Sequence, residues 1–256
     1  MSMRDRLATD VPGVILADWP APTRVRAVTT LRSGGVSHTP FDSFNLGDHV
    51  TDDPAAVRTN RARLRDPLAL PAEPLWLTQV HGTQVVDAAV SETGTQADGS
   101  FVREAGVVCA VLTADCLPVF LCDRAATCVA VVHAGWRGLA AGVIEQGLAA
   151  MGVSPGEVLA WLGPAIGPEV FEVGGEVRQV FVAEHPAAHS AFRANAAGRF
   201  FADLYALARL RLEAAGVASV HGGGFCTFSE SERFFSYRRD GITGRMASLI
   251  WLQPEG

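Results

Sequence analysis

The chain has 256 residues, 48% of them hydrophobic, enough to bury a sizeable core without disulfides. Its 27 acidic against 21 basic residues give a formal charge of −6, which argues against a nucleic-acid partner, because binding a phosphate backbone needs a surplus of cations. No apolar run reaches the roughly 18 residues of a membrane span, so no membrane partner is expected.

At the start, MSMRDRLATDVPG holds no apolar stretch of signal-peptide length. Residues 24–31 (RVRAVTTL) predict a strand, and Ser33-Gly34-Gly35 a turn. Residues 41–54 read as an ordered loop. Asp53-Pro54 then opens a helix through Asp66, with Asp as cap and Pro in the first turn. LWLTQV (75–80) predicts a strand ending at His81-Gly82, and residues 83–88 continue extended. Three apolar runs follow: 107–113 (VVCAVLT), which looks like a strand buried on both faces, then 117–122 and 127–133. After AGWRG, residues 139–151 have helical apolar spacing. Residues 161–168 read as a strand and a Gly/Pro turn, and 176–185 as a helix. Residues 201–216 form an amphipathic helix ending at a Gly cap. Residues 217–227 and 234–252 predict strands, with Asp240-Gly241 as a turn.

No Pro/Gly/Ser-rich linker, low-complexity tract or repeat interrupts this pattern, so residues 1–256 are expected to form one domain. The mixture of hairpins and strand–helix units predicts an α/β domain, with a mixed sheet and helices packed outside. The five cysteines (Cys109, Cys116, Cys122, Cys128 and Cys226) are odd in number in a chain that is not short, so a disulfide framework is not expected and a reducing cytoplasm fits.

Three residues carry candidate chemistry. His81 ends a strand and precedes a glycine. Cys116 lies in LTADCLPVF, where polar residues interrupt two apolar strands. His133 projects from a strand end toward a helix start, where ligands collect in α/β folds. Singly, each also has a bland explanation: a hydrogen-bonded histidine or a core thiol. Their separations of 35 and 17 residues match no short zinc-binding repeat. Three imidazole and thiolate donors with an open fourth position are the donor set of a catalytic zinc; copper also suits them, and binds more tightly in open competition.

The blocks TLRSGGVS, FNLGDHV, LTQVHGTQVV, LTADCLPVFL, VVHAGWRGLAAGV, LGPAIGP, FEVGGEV and FFSYRRDGITGRMASLIWL resemble the bacterial laccase-domain family. That family is also called multi-copper polyphenol oxidoreductase, laccase-domain purine nucleoside phosphorylase or peptidoglycan editing factor. The resemblance runs from about residue 24 to the C-terminus, with the blocks together and in order. It implies a single-domain α/β/β/α fold with mixed sheets, like that of the cytotoxic-necrotizing-factor-like Cys/His enzymes. It also implies zinc held by His81, Cys116 and His133, with copper as the alternative metal. One departure is Glu169-Val170, where many relatives carry Cys.

The family names imply several chemistries. A multicopper oxidase needs clustered histidines, and this chain has seven His with no His-x-His pair, which ranks laccase activity low. The first expectation is a purine nucleoside phosphorylase acting on adenosine, inosine, guanosine and methylthioadenosine, with adenosine deamination alongside. Its partners would be nucleoside and phosphate, and its state a monomer or small homo-oligomer. Arg32, before Gly34-Gly35, is a candidate for holding phosphate. Asn45 is a candidate for hydrogen-bonding ribose or a purine edge, and Arg137 for binding phosphate. Their alternatives are a surface Arg, a turn-forming Asn and an Arg paired to a carboxylate. Asp115 and Glu172 are the carboxylates considered for moving a proton. The competing readings are a Cys/His hydrolase or amidase on a peptidoglycan precursor, with Cys116 as nucleophile and His133 as base, and a zinc-stabilised binding scaffold.

Overall fold

The computed structural model describes residues 13–254. The first twelve residues, which hold most of the segment read for a leader, and the last two residues of the expected 1–256 domain lie outside the described residues. The strands are β1 (Val14–Leu16), β2 (Val25–Thr30), β3 (Val85–Asp87), β4 (Gly99–Val102), β5 (Val108–Thr113), β6 (Leu117–Asp123), β7 (Val129–Ala134), β8 (Val158–Leu162), β9 (Glu172–Val173), β10 (Phe192–Ala194), β11 (Phe200–Ala202), β12 (Ser219–Gly222) and β13 (Met246–Leu252). The α-helices are α1 (Pro54–Arg63), α2 (Arg65–Leu68), α3 (Trp136–Ala141), α4 (Val143–Met151), α5 (Gly175–Glu184), α6 (Leu204–Ala214) and α7 (Tyr237–Asp240).

Two large sheets stack face to face. One has the order β1-β2-β13-β5 and the other β12-β8-β6-β7-β4-β3; a small sheet, β10-β11-β9, stands apart. The six-stranded sheet is mixed: β3–β4 and β12–β8 run parallel, and the other pairs antiparallel. Alternation along each strand decides which layer a side chain joins. From the four-stranded sheet, Ala27, Cys109, Val111 and Ile250 meet Phe120, Cys122, Val131 and Trp161 of the other in one buried core. The opposite face of the six-stranded sheet (Leu117, Val119, Leu121, Val132) packs on α4 and α6 through Ile144, Leu148, Leu207 and Leu212. The opposite face of the four-stranded sheet (Val28, Ala110, Leu112, Leu249) packs on Leu64, Leu68 and Trp76. The layers are therefore α/β/β/α, as the resemblance implied. Strands β5, β6 and β7 are buried on both faces, which explains their unbroken apolar runs. Cys109, Cys122 and Cys128 are core residues of these layers.

Four expectations are corrected. Residues 75–80 form no strand, only isolated bridges at Leu75–Cys109 and Thr78–Gln96. The Gln79 amide takes the place of a backbone partner: its Nε2 donates to Leu112 O (2.9 Å) and its Oε1 accepts from Leu112 N (2.6 Å). The helix expected over 139–151 starts at Trp136 and is split into α3 and α4 at Gly142, whose φ of 99° breaks the helical path. In 234–252, residues 237–240 form the helical turn α7 rather than a strand, because Ser236 Oγ accepts from Arg239 N (3.2 Å) and Asp115 Oδ2 accepts from Arg238 N (2.7 Å). Helix α6 also begins later than expected, at Leu204, capped by Asp203 Oδ1 accepting from Ala206 N (2.9 Å). Among the described residues, no helix is long and apolar enough to cross a membrane.

Candidate metal centre

Three separate segments converge at one end of the stacked sheets. Cys116 lies on the connection by which the chain leaves β5 in one sheet and enters β6 in the other. His133 is the penultimate residue of β7, level with Pro118 on β6, which brings it beside Cys116. His81 lies on the loop before β3. The ligand atoms of His81, Cys116 and His133 all lie within 4.8 Å of one another. Cys116 Sγ is 3.9 Å from His81 Nε2, and the two imidazoles meet edge-on with centroids 4.7 Å apart.

Two of the backbone positions are unusual. His81 has φ 60° and Asp115, next to Cys116, has φ 99°. Such conformations cost about 1–3 kcal/mol each and persist where the surroundings over-determine them. At His81 the restraint is Asp98: its carboxylate accepts from Val80 N (3.2 Å), His81 N (2.9 Å) and Gly82 N (2.6 Å). At Asp115 the restraints are Thr227 Oγ1, which donates to Oδ1 (2.6 Å), Arg238 N, and Ile166 N, which donates to the backbone carbonyl (2.9 Å).

Asp98, which no sequence pattern singled out, is fully buried and lies 2.9 Å from His133 Nδ1. A proton on Nδ1 donated to Asp98 leaves His133 Nε2 directed at Cys116, the tautomer a metal ligand needs. Burial pushes the Asp98 carboxyl up, but hydrogen bonds from His133 and Gly82 N outweigh it and hold it below the usual carboxylate range. Burial also pushes the Cys116 thiol up; the charge of His133 and hydrogen bonds from both imidazoles outweigh that and bring it down to about 6. For His133, burial is opposed by the Cys116 thiolate and Asp98, which raise it to about 9. Without a metal, the pair is thus a thiolate and an imidazolium.

Gly135 makes the space. A Cβ there would lie 2.9 Å from Cys116 Sγ, 3.0 Å from His81 Cδ2 and 3.6 Å from His133 Nε2. The donor set fits a transition metal: at ordinary Zn–N and Zn–S lengths, tetrahedral ligands stand roughly 3.5 Å apart, so the three need only small closing movements. Among the described residues the cluster holds no fourth His, Cys or carboxylate.

The other candidates are placed as follows. Asp115 is buried with both carboxylate oxygens engaged. Glu172, on β9, is bound by Asn195 Nδ2 (2.7 Å) and Arg199 Nε (3.0 Å). Arg32 donates from Nε and Nη2 to Asp42 O and from Nη1 to Ser231 O, and stacks on Phe235. Asn45 is buried, its amide joined to Gly47, Asp52 and Arg245 N. Arg137 is exposed on α3, four residues after His133, with its guanidinium over the Trp136 ring.

Fold and cluster together define a mixed α/β protein built around a His–Cys–His centre. The chain belongs to the family described as multi-copper polyphenol oxidoreductase laccase, whose profile matches residues 26–253. It is 61% identical over 237 residues to a Pseudomonas aeruginosa protein named purine nucleoside phosphorylase PA4543, covering 92% of this chain and 97% of the relative. It is 51% identical over 240 residues to purine nucleoside phosphorylase YfiH of Escherichia coli, covering 93% and 98%. The solved structure of Neisseria meningitidis protein NMB0706 superposes with a TM-score of 0.91 at 53% identity, covering 94% of this chain and 100% of that one.

Proposed function

We propose that the 256 residues act as one zinc-dependent purine nucleoside phosphorylase, with adenosine, inosine, guanosine and methylthioadenosine as substrates and adenosine deamination as a side activity. The observation that carries this reading is the convergence of His81, Cys116 and His133 with no fourth protein donor among the described residues, in a chain whose relatives bear the phosphorylase name. In phosphorolysis a phosphate oxygen bonds to C1′ of the ribose as the bond from C1′ to the purine breaks. The electron pair leaves with the base, which takes up a proton.

A zinc ion held by His81, Cys116 and His133 would supply Lewis acidity toward the substrate. The chain's own residues do the rest. Asp98 keeps the proton on His133 Nδ1 and fixes the ring. Gly135 keeps the approach clear. Arg137 offers an exposed cation to the anionic co-substrate. Asp115 acts by holding the Cys116 turn through Thr227 and Arg238, and Glu172 by holding Asn195 and Arg199; Arg32 and Asn45 brace the adjoining loops.

The test is an inosine assay, with and without phosphate, on protein of known zinc content. Phosphate-dependent hypoxanthine release that disappears in folded Cys116→Ala supports the reading. Release that needs no phosphate, or that survives Cys116→Ala, overturns it.

A second reading has a specific observation behind it. Cys116, His133 and Asp98 are ordered as nucleophile, base and orienting carboxylate, which is the arrangement of a Cys/His hydrolase or amidase. Protein that is active without bound metal and loses hydrolysis on Cys116 alkylation would favour it over the phosphorylase.

A further inference from the structure

Several arginines of the surrounding loops are held by backbone carbonyls or carboxylates. Arg239 donates to Thr227 O, Phe228 O and Phe234 O and pairs with Asp240. Arg238 donates to Glu172 O, and Arg61 is held by Leu46 O and Asp48. Arg32 is tied to carbonyls on every nitrogen. Unlike Arg32, Arg61 and Arg239, Arg245 has no carboxylate partner among the described residues, and unlike the exposed Arg238 it is partly buried.

Arg245 lies just before β13. The register Met246↔Thr113 sets it level with Ala114, two residues before Cys116. Its backbone N–H donates to Asn45 Oδ1 (2.9 Å), which fixes the position of the main chain. Its Nη1 donates to Thr243 O (2.9 Å) and Gly244 O (3.0 Å). Nε and Nη2 carry no hydrogen bond among the described residues, and neither is a buried orphan. No carboxylate pairs with Arg245 among the described residues. Its charge is nevertheless within electrostatic reach of Cys116 and Asp115. Gly47 keeps the side chain's channel open, since a Cβ there would lie 2.8 Å from Arg245 Cγ. The Tyr237 ring, 5.9 Å from the guanidinium carbon, flanks it.

The free edge is the informative part. Nε–H and Nη2–H point the same way and form the side-on fork with which a guanidinium grips two oxygens of a phosphate. One nitrogen anchored on backbone carbonyls and two parallel donors left open is the arrangement of an arginine that positions an anion.

We propose that Arg245 binds the inorganic phosphate co-substrate at the Cys116 site. This rests on the phosphorylase reading and names a residue that reading had not included.

The experiment compares wild type, Arg245→Met, Arg245→Lys and the surface control Arg193→Gln. In zinc-loaded enzyme, Arg245→Met raises the KM for phosphate about tenfold to a hundredfold, the loss of charged hydrogen bonds, while the KM for inosine stays within about threefold. Arg245→Lys recovers part of the phosphate affinity, and Arg193→Gln matches wild type. Separately, inorganic phosphate raises the Tm of metal-free wild type and of Arg193→Gln, but not of Arg245→Met. An unchanged phosphate KM in Arg245→Met overturns the assignment. If wild type shows no phosphorolysis, the phosphorylase reading has failed, and the Tm arm still decides: a phosphate shift present in wild type and lost in Arg245→Met keeps the anion site, whereas an equal shift in both, or none in either, removes it. Tm without phosphate identifies a folding defect, in which case Arg245→Lys carries the comparison.

Discussion

Asp98 and His133 are joined twice: His133 N donates to the Asp98 carbonyl (2.7 Å), and His133 Nδ1 lies 2.9 Å from the Asp98 carboxylate. The backbone bond lies just beyond the β4–β7 ladder, whose first pair is Gly99↔Val132, so strand pairing itself brings the carboxylate to the ring. The same carboxylate gathers the three N–H groups around His81. One side chain thereby sets the position of two of the three donors.

Asp98→Asn therefore keeps the volume but removes the charge that orients His133. Zinc affinity, measured by competition with a chelator, is expected to fall about 10- to 100-fold. Asp98→Ala, which strips a buried charged network, is expected to lower unfolding free energy by about 3–5 kcal/mol in urea. Wild-type zinc affinity in Asp98→Asn would show that the ring needs no such support.

The pKa shifts set a pH window for metal-free protein. Cys116 is depressed to about 6, so its thiolate appears as pH rises through that value and is lost below it. His133 is raised to about 9, so its positive charge is present below that value and lost above it. The ion pair exists between the two. Iodoacetamide should modify Cys116 with a midpoint near pH 6, while Cys109 and Cys122, pushed by burial up to about 12, stay unmodified until unfolding. Added zinc should block the reaction. A midpoint near 9 for Cys116 contradicts the pairing.

Gly135→Ala isolates the space around the donors. Gly135 has φ −61° and ψ 156°, an ordinary conformation for any residue, so the backbone does not resist the change. The added methyl meets Cys116 Sγ and His81 Cδ2. Unfolding free energy should fall by about 1–3 kcal/mol, the cost of overpacking, while zinc binding and turnover fall further, beyond what the lost stability explains. A variant that binds zinc normally would show that the cluster sits looser than its distances imply.

Asp115→Gly sets two effects against each other. Glycine relieves the positive φ, worth about 1 kcal/mol or more. It also frees Thr227 Oγ1 and Arg238 N, two partly buried donors to a carboxylate worth about 1.5–3 kcal/mol each. The sum favours net destabilisation, with looser packing of the turn that carries Cys116. Hydrogen exchange should speed up at Arg238 N; unchanged protection there would remove Asp115 from its anchoring role.

What was legible in the sequence follows from range. The strands β5, β6 and β7 announce themselves because double burial demands unbroken Val, Leu and Ala runs. His81, Cys116 and His133 are recognisable by the blocks around them, since they come from segments that meet only after two sheets pair and stack. Asp98 is not, because Gln96-Ala97-Asp98-Gly99 looks like a turn and the partner that gives it meaning lies 35 residues on. Residues 75–80 have strand composition, yet a glutamine side chain mimics the backbone there, and no periodicity announces that substitution. Arg32 has an anion-binding context in Gly34-Gly35, but its carbonyl partner Ser231 lies 199 residues away. Arg245 lies in a segment read as strands about a turn at Asp240-Gly241, whereas residues 237–240 coil into α7 and β13 starts only at Met246.

The crossing of Cys116 between sheets has a consequence for how the molecule comes together. His81, Cys116 and His133 emerge early in synthesis, but Asp115 is anchored by Thr227 and Arg238, and β5 is paired by β13, which are made about a hundred residues later. A nascent chain carries all three donors without the frame that aims them. Capture of a metal by these donors would thus be a late, post-translational event that registers the completed tertiary structure, and metal retention would then read out whether the C-terminal strand has docked.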